Sequence, residues 1–413
     1  MISHRRMKSI FMSTTFVSYL NAATGDSVVT GPVPIEPLDC DSGNVYPKMK
    51  DRINETAWEL WYFDGGTEDG KTAITISFFR DARGLKDGGF RTQIFAMWPD
   101  GTKWNTGLFF AESIVTAEGY SPVQAEIHGV WKTVDDAASA TFTVAADLST
   151  AMLKFAVPNK VSGTLEMSAT SGSKAGLPST EEEALLSPGM YYMRPISLAD
   201  VSADLTFDME PSSAESERNE NAEQRRLNFQ SGKGGMDRCW TTLSWPQIMT
   251  ESYFLRATVG PYNIQLIRII SDATRGYSHH TLARLWKGQD LVCAAQQVVD
   301  RDTAETRGFL GDAVIVEKIY EVDENEGVAV AGGFRDKNVG YIVEFLQGST
   351  PGNERNKKWR FKIRHNQSWW NMPTSAPGPQ ATGNSGFLEA ASGGLDGETC
   401  FEGCGGCGQV QLQ

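Results

Sequence analysis

The sequence is poor in the residues and motifs on which many hydrolytic and metal-dependent enzymes rely. It has five histidines in 413 residues, and neither H-E-x-x-H nor G-x-S-x-G occurs in it. Those motifs would mark a zinc peptidase and a nucleophilic serine, respectively. His279 and His280 are adjacent, so in a strand they would point to opposite faces and could not bind one ion together. We therefore expect no metal centre, no nucleophilic triad and no cofactor.

Basic charge and long apolar runs are also scarce. The chain has 38 Lys and Arg against 51 Asp and Glu, which gives a net charge of -13. Such an acidic protein repels a phosphate backbone, so we expect no nucleic-acid partner. No apolar run approaches the roughly 18 residues that a membrane span requires, so we expect no membrane partner.

Six cysteines fall into two groups. Cys40, Cys239 and Cys293 are scattered, whereas Cys400, Cys404 and Cys407 crowd a glycine-rich C-terminal stretch. Scattered single cysteines are typical of buried thiols in a reducing compartment. The terminal group is one ligand short of a zinc site. We predict a flexible, dispensable Gly/Cys tail at residues 386–413, with zinc binding there as the alternative.

The N-terminal residues 1–34 lack periodicity and are predicted to form a disordered leader. Arg5, Arg6 and Lys8 precede a mildly apolar stretch at residues 10–20, which resembles a weak signal peptide. Hydroxyl residues dilute that stretch, so we expect a cytoplasmic protein and keep secretion as the alternative.

The rest of the chain reads as short strands, rich in β-branched and aromatic residues and separated by turn residues. The predicted strands are residues 57–64, 72–80, 90–98, 129–134, 140–146, 152–157, 163–168, 252–259, 262–270, 281–286, 291–299, 314–320, 340–346 and 358–365. Their spacing predicts an all-β protein built from sandwiches or barrels, and the second half fits a closed barrel. The polar stretch 210–235 is the best candidate for a domain boundary. A second polar stretch, 168–187, is interpreted as a long loop.

One motif matches a phosphate-binding loop in letters only. Residues 65–72 (GGTEDGKT) fit G-x-x-x-x-G-K-T. A phosphate loop must lead from a strand into a helix, whereas the residues after Thr72 alternate like a strand. Glu68 and Asp69 would also repel phosphate. We therefore interpret the segment as the turn of a β-hairpin.

Three aromatic clusters stand out at strand ends. In the first, at residues 58–64 (WELWYFD), Glu59, Trp61 and Phe63 share one face of a strand. A carboxylate between inward aromatic residues suggests a binding pocket. The alternative is that Trp58, Leu60 and Tyr62 form the core and Glu59 faces solvent. The other clusters, at residues 239–246 and 368–373, suit either the mouth of a barrel, where a ligand enters, or its plug.

These residues carry a family resemblance. WELWYFD, the following FFRD (residues 78–81), WTTLSWPQ (240–247) and NMPTSAPGPQATGN (371–384) resemble the lipocalin-like Diels–Alderases of fungal decalin biosynthesis, distant relatives of carotenoid 1,2-hydratases. The likeness covers roughly residues 45–385. It implies an N-terminal β-sandwich domain (35–235), a lipocalin-like C-terminal β-barrel domain (236–385) and a pocket between them.

The resemblance also implies a function. The expected reaction is a stereoselective intramolecular [4+2] cycloaddition that converts a linear polyenoyl tetramic acid, or a related polyene from a polyketide synthase–peptide synthetase, into a decalin. This reaction transfers no proton and needs no nucleophile, in agreement with the missing motifs. The alternatives are a hydratase of the carotenoid type and a non-catalytic carrier of apolar ligands. The protein is expected to be a monomer or a weak dimer.

The candidate site residues follow from strand geometry and from the resemblance. Glu59, Lys362 and Asn371 are expected to recognise the tetramate. The expected substrate-binding residues are Trp61, Phe63, Ser77, Tyr191, Tyr192, Trp245, Tyr253 and Trp370.

Overall fold

The computed structural model describes residues 14–119, 121, 124–209, 223–306, 309, 311–321, 330–348 and 357–412. Across these residues the chain folds into two antiparallel β-sheets, which confirms the predicted all-β class. The α-helices among them are short: α1 (Glu181–Ala184), α2 (Trp245–Ile248) and α3 (Arg301–Thr306). No helix of the described chain has the length and apolar character needed to cross a membrane.

The first sheet has thirteen strands. They are β1 (Thr14–Asn21), β2 (Trp58–Thr67), β3 (Ala73–Asp81), β4 (Phe90–Met97), β5 (Lys103–Phe110), β6 (Glu112–Gly119), β7 (Glu126–Lys132), β8 (Ser139–Val144), β9 (Thr150–Val157), β10 (Val161–Ala169), β11 (Leu185–Ser187), β12 (Met190–Asp208) and β13 (Gln224–Thr241). The order is β1-β6-β7-β8-β9-β10-β12-β13-β2-β3-β4-β5, with β11 paired to β12.

The first sheet curves into a half-barrel whose two halves face each other like the layers of a sandwich. Phe78 of β3 shows this best, since its ring lies 5.0 Å from Trp131 of β7, 5.2 Å from Phe142 of β8 and 6.3 Å from Phe155 of β9. Strands that are distant in the sheet order therefore share one buried core. Period-2 alternation directs every second residue of each strand into that core.

The second sheet has nine strands. They are β14 (Glu251–Val259), β15 (Tyr262–Ile270), β16 (His279–Lys287), β17 (Asp290–Ala295), β18 (Ala313–Ile319), β19 (Gly340–Leu346), β20 (Lys358–Pro373), β21 (Gly383–Leu395) and β22 (Phe401–Gln411). The order is β17-β16-β15-β14-β22-β21-β20-β19-β18, so β17 and β18 are the ends. The ends meet through a bridge between Val298 and Val314, and Cys293 Sγ lies 3.7 Å from the carbonyl oxygen of Leu346. The sheet is thus a nearly closed barrel, as predicted, around a core of its own.

Three boundaries predicted from the sequence are wrong. Residues 14–21 of the expected leader form β1, which pairs with β6 along its whole length, while residues 1–13 lie outside the described part. Of the expected linker, residues 224–235 belong to β13, which continues to Thr241, and residues 210–222 lie outside the described part. The expected flexible tail supplies most of β21 and all of β22, in the middle of the second sheet.

The glycines of the tail are packing residues. A Cβ at Gly403 would lie 1.9 Å from the carbonyl oxygen of Thr258 in β14, and one at Gly405 would lie 2.3 Å from that of Arg256. Only glycine allows the backbones to approach so closely. A glycine-rich composition is therefore compatible with a tightly paired strand here.

The hairpin interpretation of residues 65–72 is confirmed. β2 runs to Thr67, β3 begins at Ala73, and Thr67 N–H donates to the carbonyl oxygen of Thr72 at 2.9 Å. Gly70 has a φ of 66°, which glycine adopts without strain. No helix follows, so the segment lacks the geometry of a phosphate loop.

Candidate active site between the two sheets

A cavity of about 540 Å³ lies between the half-barrel and the barrel. The half-barrel contributes residues of β2, β3, β12 and β13, and the barrel contributes residues of β14, β15, β20, β21 and β22. The lining side chains include Tyr62, Asp64, Thr75, Phe254, Arg256, Gln265, Trp369, Trp370 and Leu388. The cavity combines aromatic walls with a small set of polar groups, which is the usual makeup of a small-molecule site.

The half-barrel wall is set by the alternation of β2. Trp61 and Phe63 point into the core of the half-barrel, so Tyr62 and Asp64 point the other way, toward the barrel. In the neighbouring strand β3, Thr75 lies opposite Asp64. These three polar side chains therefore share one face.

Arg256 of β14 connects the barrel to the half-barrel beside the polar groups of the cavity. Its Nε donates to Asp64 Oδ2 at 2.6 Å, its Nη2 lies 3.2 Å from Asp237 Oδ1, and its Nη1 donates to the carbonyl oxygen of Ser197 at 2.6 Å. The other Asp64 oxygen accepts the backbone N–H of Gly235 at 2.8 Å. Both carboxylates thus contact one guanidinium that reaches them from the other sheet.

Burial shifts the pKa values of Asp64 and Tyr62. Burial raises the pKa of Asp64 above its ordinary value, and the Arg256 charge opposes that rise. Burial likewise holds the pKa of Tyr62 well above its ordinary value, and the negative charges of Asp64 and Asp237 raise it further. The Tyr62 hydroxyl therefore stays protonated at neutral pH and can donate a hydrogen bond. Thr75 lies within hydrogen-bonding reach of it.

A second arginine supports this network from behind. Arg194 Nε donates to the Tyr192 hydroxyl at 2.9 Å and lies 3.4 Å from Asp237, and Arg194 Nη1 donates to Gln265 Oε1 at 2.9 Å. The Gln265 amide nitrogen in turn donates to the carbonyl oxygen of Ser197. These bonds fix the orientation of the polar side chains.

The aromatic walls are rigidly packed. The Trp370 ring stacks on Phe95 at 4.6 Å, and its Nε1 donates to Asn384 Oδ1 at 2.8 Å. Tyr62 and Phe254 meet edge to face at 5.4 Å across the sheets. Stacked and bonded rings of this kind present a fixed shape to an apolar ligand.

Comparisons with known proteins identify the family. A model described as "Diels-Alderase-like" matches residues 12–413. A Diels–Alderase named gNR600, from a fungal species (strain NRRL 50135), is 46% identical over 97% of this chain and 99% of its own length. A Diels–Alderase of Gibberella fujikuroi is 43% identical over 97% of this chain and 100% of its own length.

A solved structure agrees. The crystal structure of CghA with Sch210972 superposes with a TM-score of 0.82 at 37% identity, covering 96% of this chain and 99% of that one. Diels–Alderase cghA comes from Chaetomium globosum. The chain belongs to the Diels–Alderase family.

The Diels–Alderase fold places a few of the predicted site residues at or near the cavity. Trp370 lines it. Ser77 lies on the same face of β3 as Thr75 and opposite Tyr62, although it is not part of the wall. Tyr192 lies behind the wall and accepts a hydrogen bond from Arg194.

Three residues predicted from β2 do not line the cavity. Glu59, Trp61 and Phe63 do share one face, but it is the face that points into the half-barrel core. Glu59 is an ion-pair partner of Arg238 and accepts the backbone N–H groups of Lys48 and Met49.

The remaining predicted residues also lie off the cavity. Tyr191 stacks on Trp240 and donates to Glu181, Trp245 stacks on Trp58, and Tyr253 stacks on Tyr341 inside the barrel. Lys362 is exposed on β20. Asn371 lines a separate open depression of about 500 Å³, whose wall includes Trp370, Phe95 and the basic residues Arg83, Lys86 and Arg91.

The cavity-lining residues outside the predicted Diels–Alderase site include Tyr62, Asp64, Thr75, Phe254, Arg256 and Gln265. Alternation offered Tyr62 as part of the second face of β2, but the sequence does not say which face is enclosed by the other sheet. Arg256 and Gln265 sit in predicted strands and resemble ordinary solvent-facing residues. Only the packing of barrel on half-barrel buries them.

Proposed function

We propose that this Diels–Alderase catalyses the stereoselective intramolecular [4+2] cycloaddition of a linear polyenoyl tetramic acid, or a related polyene, to a decalin, and that the reaction takes place in the cavity between the two sheets. The observation that carries the proposal is the cavity's composition, which combines the aromatic side chains Trp369, Trp370 and Phe254 with the polar groups of Tyr62, Thr75 and Arg256. The family membership and the likeness to CghA support the same reaction class.

The aromatic walls would act on the conformation of the polyene. A cycloaddition within one chain is limited by the entropy of bringing diene and dienophile together. Holding the reacting ends in one geometry is worth up to roughly 7–11 kcal/mol in favourable intramolecular cases. Trp369, Trp370 and Phe254 provide the fixed surface that selects one folded conformer, and therefore one stereochemical outcome.

The polar groups of the cavity would act on the electron distribution of the dienophile. The protonated Tyr62 hydroxyl, next to Thr75, donates to the carbonyl that is conjugated with the dienophile and withdraws electron density from it. Arg256 is a positioning residue, because its bonds to Asp64 and Ser197 hold the wall that carries Tyr62. These roles replace the ones expected for Glu59, Lys362 and Asn371.

We also propose that the substrate comes from a polyketide synthase–peptide synthetase and that the enzyme works in the cytoplasm as a monomer or weak dimer. Decalin precursors of this kind are flexible and largely apolar, and the cavity volume and lining suit such a chain. Sedimentation of the full chain would check the oligomeric state, and localisation of the tagged full chain would check the compartment.

The decisive experiment is incubation of the protein with a linear polyenoyl tetramic acid. We expect faster cyclisation and one dominant stereoisomer. Tyr62→Phe should lower kcat by roughly 100- to 1,000-fold, the usual range for removing one oxyanion-type donor, while the fold persists. Tyr320→Phe, at an exposed tyrosine, is the matched control and should match wild type. A product ratio equal to the enzyme-free reaction would contradict the proposal and favour a carrier. Addition of water to the product would favour the hydratase alternative.

A further inference from the structure

The barrel interior contains a second polar cluster that the cycloaddition does not use. It consists of His365 on β20, Glu389 on β21 and Cys407 on β22, and all three are buried. His365 and Glu389 are directly opposite each other across their strands, and Cys407 lies diagonal to Glu389, since Glu389 pairs with Gly405. Three adjacent strands thus present a nitrogen, an oxygen and a sulfur ligand on one inward face.

We propose that His365, Glu389 and Cys407 form a binding site for a borderline divalent transition metal, with Zn²⁺ as the best match. Imidazole, carboxylate and thiolate together are a typical zinc ligand set. The role we assign to the ion is structural: it would tie β20, β21 and β22 together behind the wall of the cavity.

The distances suit such an ion. The candidate ligand atoms all lie within 4.8 Å of one another, and His365 Nδ1 is 2.8 Å from Glu389 Oε1. Zinc–ligand bonds of about 2.0–2.3 Å in tetrahedral geometry separate the ligands by roughly 3.3–3.8 Å. Side-chain shifts of about 1 Å would therefore create the site without moving a strand.

The charges of the three side chains also suit a divalent ion. Glu389 Oε2 is fully buried and receives no hydrogen bond from a nitrogen or oxygen donor of the described residues, so the Cys407 thiol is the donor at hand for this carboxylate. A thiol is a weak hydrogen-bond donor, and a cation would stabilise the buried carboxylate better. With Cys407 as thiolate and His365 neutral, a divalent ion brings the net charge of the cluster to zero. Binding releases the thiol proton, so affinity should fall at low pH.

Neighbouring groups can complete the coordination. Gln409 Nε2 lies 2.7 Å from His365 Nε2, and rotation of that amide by half a turn would place its oxygen there to accept Nε2–H. That bond would leave Nδ1 free for the metal. The Tyr253 hydroxyl, buried beside Cys407 and Glu389, also has no partner among the described residues, and it or a water could fill the fourth position.

This site differs from the zinc site considered for the three terminal cysteines. Cys400 is exposed, and Cys404 Sγ lies 3.2 Å from the carbonyl oxygen of Glu68 at the cavity wall. Only Cys407 points into the barrel, so the terminal cysteines do not converge.

Metal loading of the full chain tests the proposal independently of catalysis. After incubation with Zn²⁺ or Co²⁺ and desalting, we expect one ion per chain, a higher melting temperature and, for cobalt, a near-ultraviolet sulfur-to-cobalt charge-transfer band. Cys407→Ser should abolish the band and His365→Gln should sharply lower metal retention. Cys400→Ser, the matched exposed cysteine, should keep both.

A second measurement guards against variants that fail to fold. X-ray absorption of the zinc-loaded wild-type protein should show one sulfur at about 2.3 Å among nitrogen and oxygen ligands. The proposal is overturned if the wild type retains no metal, if the absorption spectrum shows no sulfur, or if Cys407→Ser keeps the charge-transfer band. The cluster would then be a buried, hydrogen-bonded His–Glu pair.

Discussion

Two buried carboxylates on β2 illustrate how surroundings assign roles to single residues. Glu59 lies inside the half-barrel, where Arg238 and two backbone N–H groups saturate it. Asp64 lies at the cavity, where its partner Arg256 comes from the other sheet. The first arrangement stabilises the half-barrel, whereas the second joins the two sheets at the cavity wall.

Glu59→Gln is therefore expected to cost stability more than chemistry. It keeps the shape of the side chain but leaves the Arg238 guanidinium buried without its counter-charge, which typically costs about 3–5 kcal/mol. The free energy of unfolding in denaturant measures this. Glu166→Gln, at an exposed glutamate of β10, is the control and should change little. A wild-type unfolding free energy with lost turnover would instead support the original assignment of Glu59 to substrate recognition.

The sequence predicts the alternation of β2 but not the choice between its faces. Trp61 and Phe63 on one face and Trp58 and Tyr62 on the other are all aromatic, because the strand is covered on both sides. Amphipathic patterning carries no information when neither face meets water. This is why Trp61 was predicted for the pocket and Tyr62 for the core.

At the scale of elements, strands rich in β-branched and aromatic residues could be predicted, and glycine-rich strands could not. The β14–β15 hairpin and the hairpin joining β2 to β3 both follow from local alternation and turn residues. β22 pairs with β21 across a short turn and with β14, nearly 150 residues earlier in the chain, and it has few of the β-branched and aromatic residues that mark a strand in the sequence. Its glycines reflect that distant partner.

Removing residues 400–413 is expected to prevent the barrel from folding. The deletion removes β22 and leaves the facing edges of β14 and β21 unpaired. Gly403→Ala is a milder variant, and overpacking against the Thr258 carbonyl should cost about 1–3 kcal/mol. Circular dichroism and denaturant unfolding measure both, with exposed Cys400→Ser as the unaffected control. Cooperative unfolding and full turnover of the truncated chain would restore the tail's dispensability.

At the scale of the whole molecule, the cavity lies where barrel and half-barrel are joined by Arg256. This side chain contacts Asp64 and Asp237 of the half-barrel from β14, and its charge opposes the rise in the pKa of Asp64 that burial causes. The family resemblance implied a pocket between the two halves, but the residues that line it depend on how the halves dock. That docking has no counterpart in local sequence.

The junction makes a pH-dependent prediction for Arg256→Met. Burial already raises the pKa of Asp64, and loss of the guanidinium should raise it further. A carboxyl whose folded pKa exceeds its unfolded value favours folding while protonated, and this benefit disappears as pH rises through the folded pKa. The stability lost relative to wild type should therefore be greater near about pH 8 than near about pH 5.

Asp64→Asn added to Arg256→Met tests the cause, because it removes the carboxylate left without its partner and should recover part of the stability at the higher pH. Arg226→Met breaks an exposed ion pair with Asp204 and serves as the surface control, with a small, pH-independent effect expected. Denaturant unfolding at both pH values measures all three variants. An equal loss for Arg256→Met at the two pH values would mean that its packing, and not its charge, joins the sheets. In that case the hydrogen bond between Arg194 and Gln265, and not the charge of Arg256, would hold the polar groups of the cavity in place.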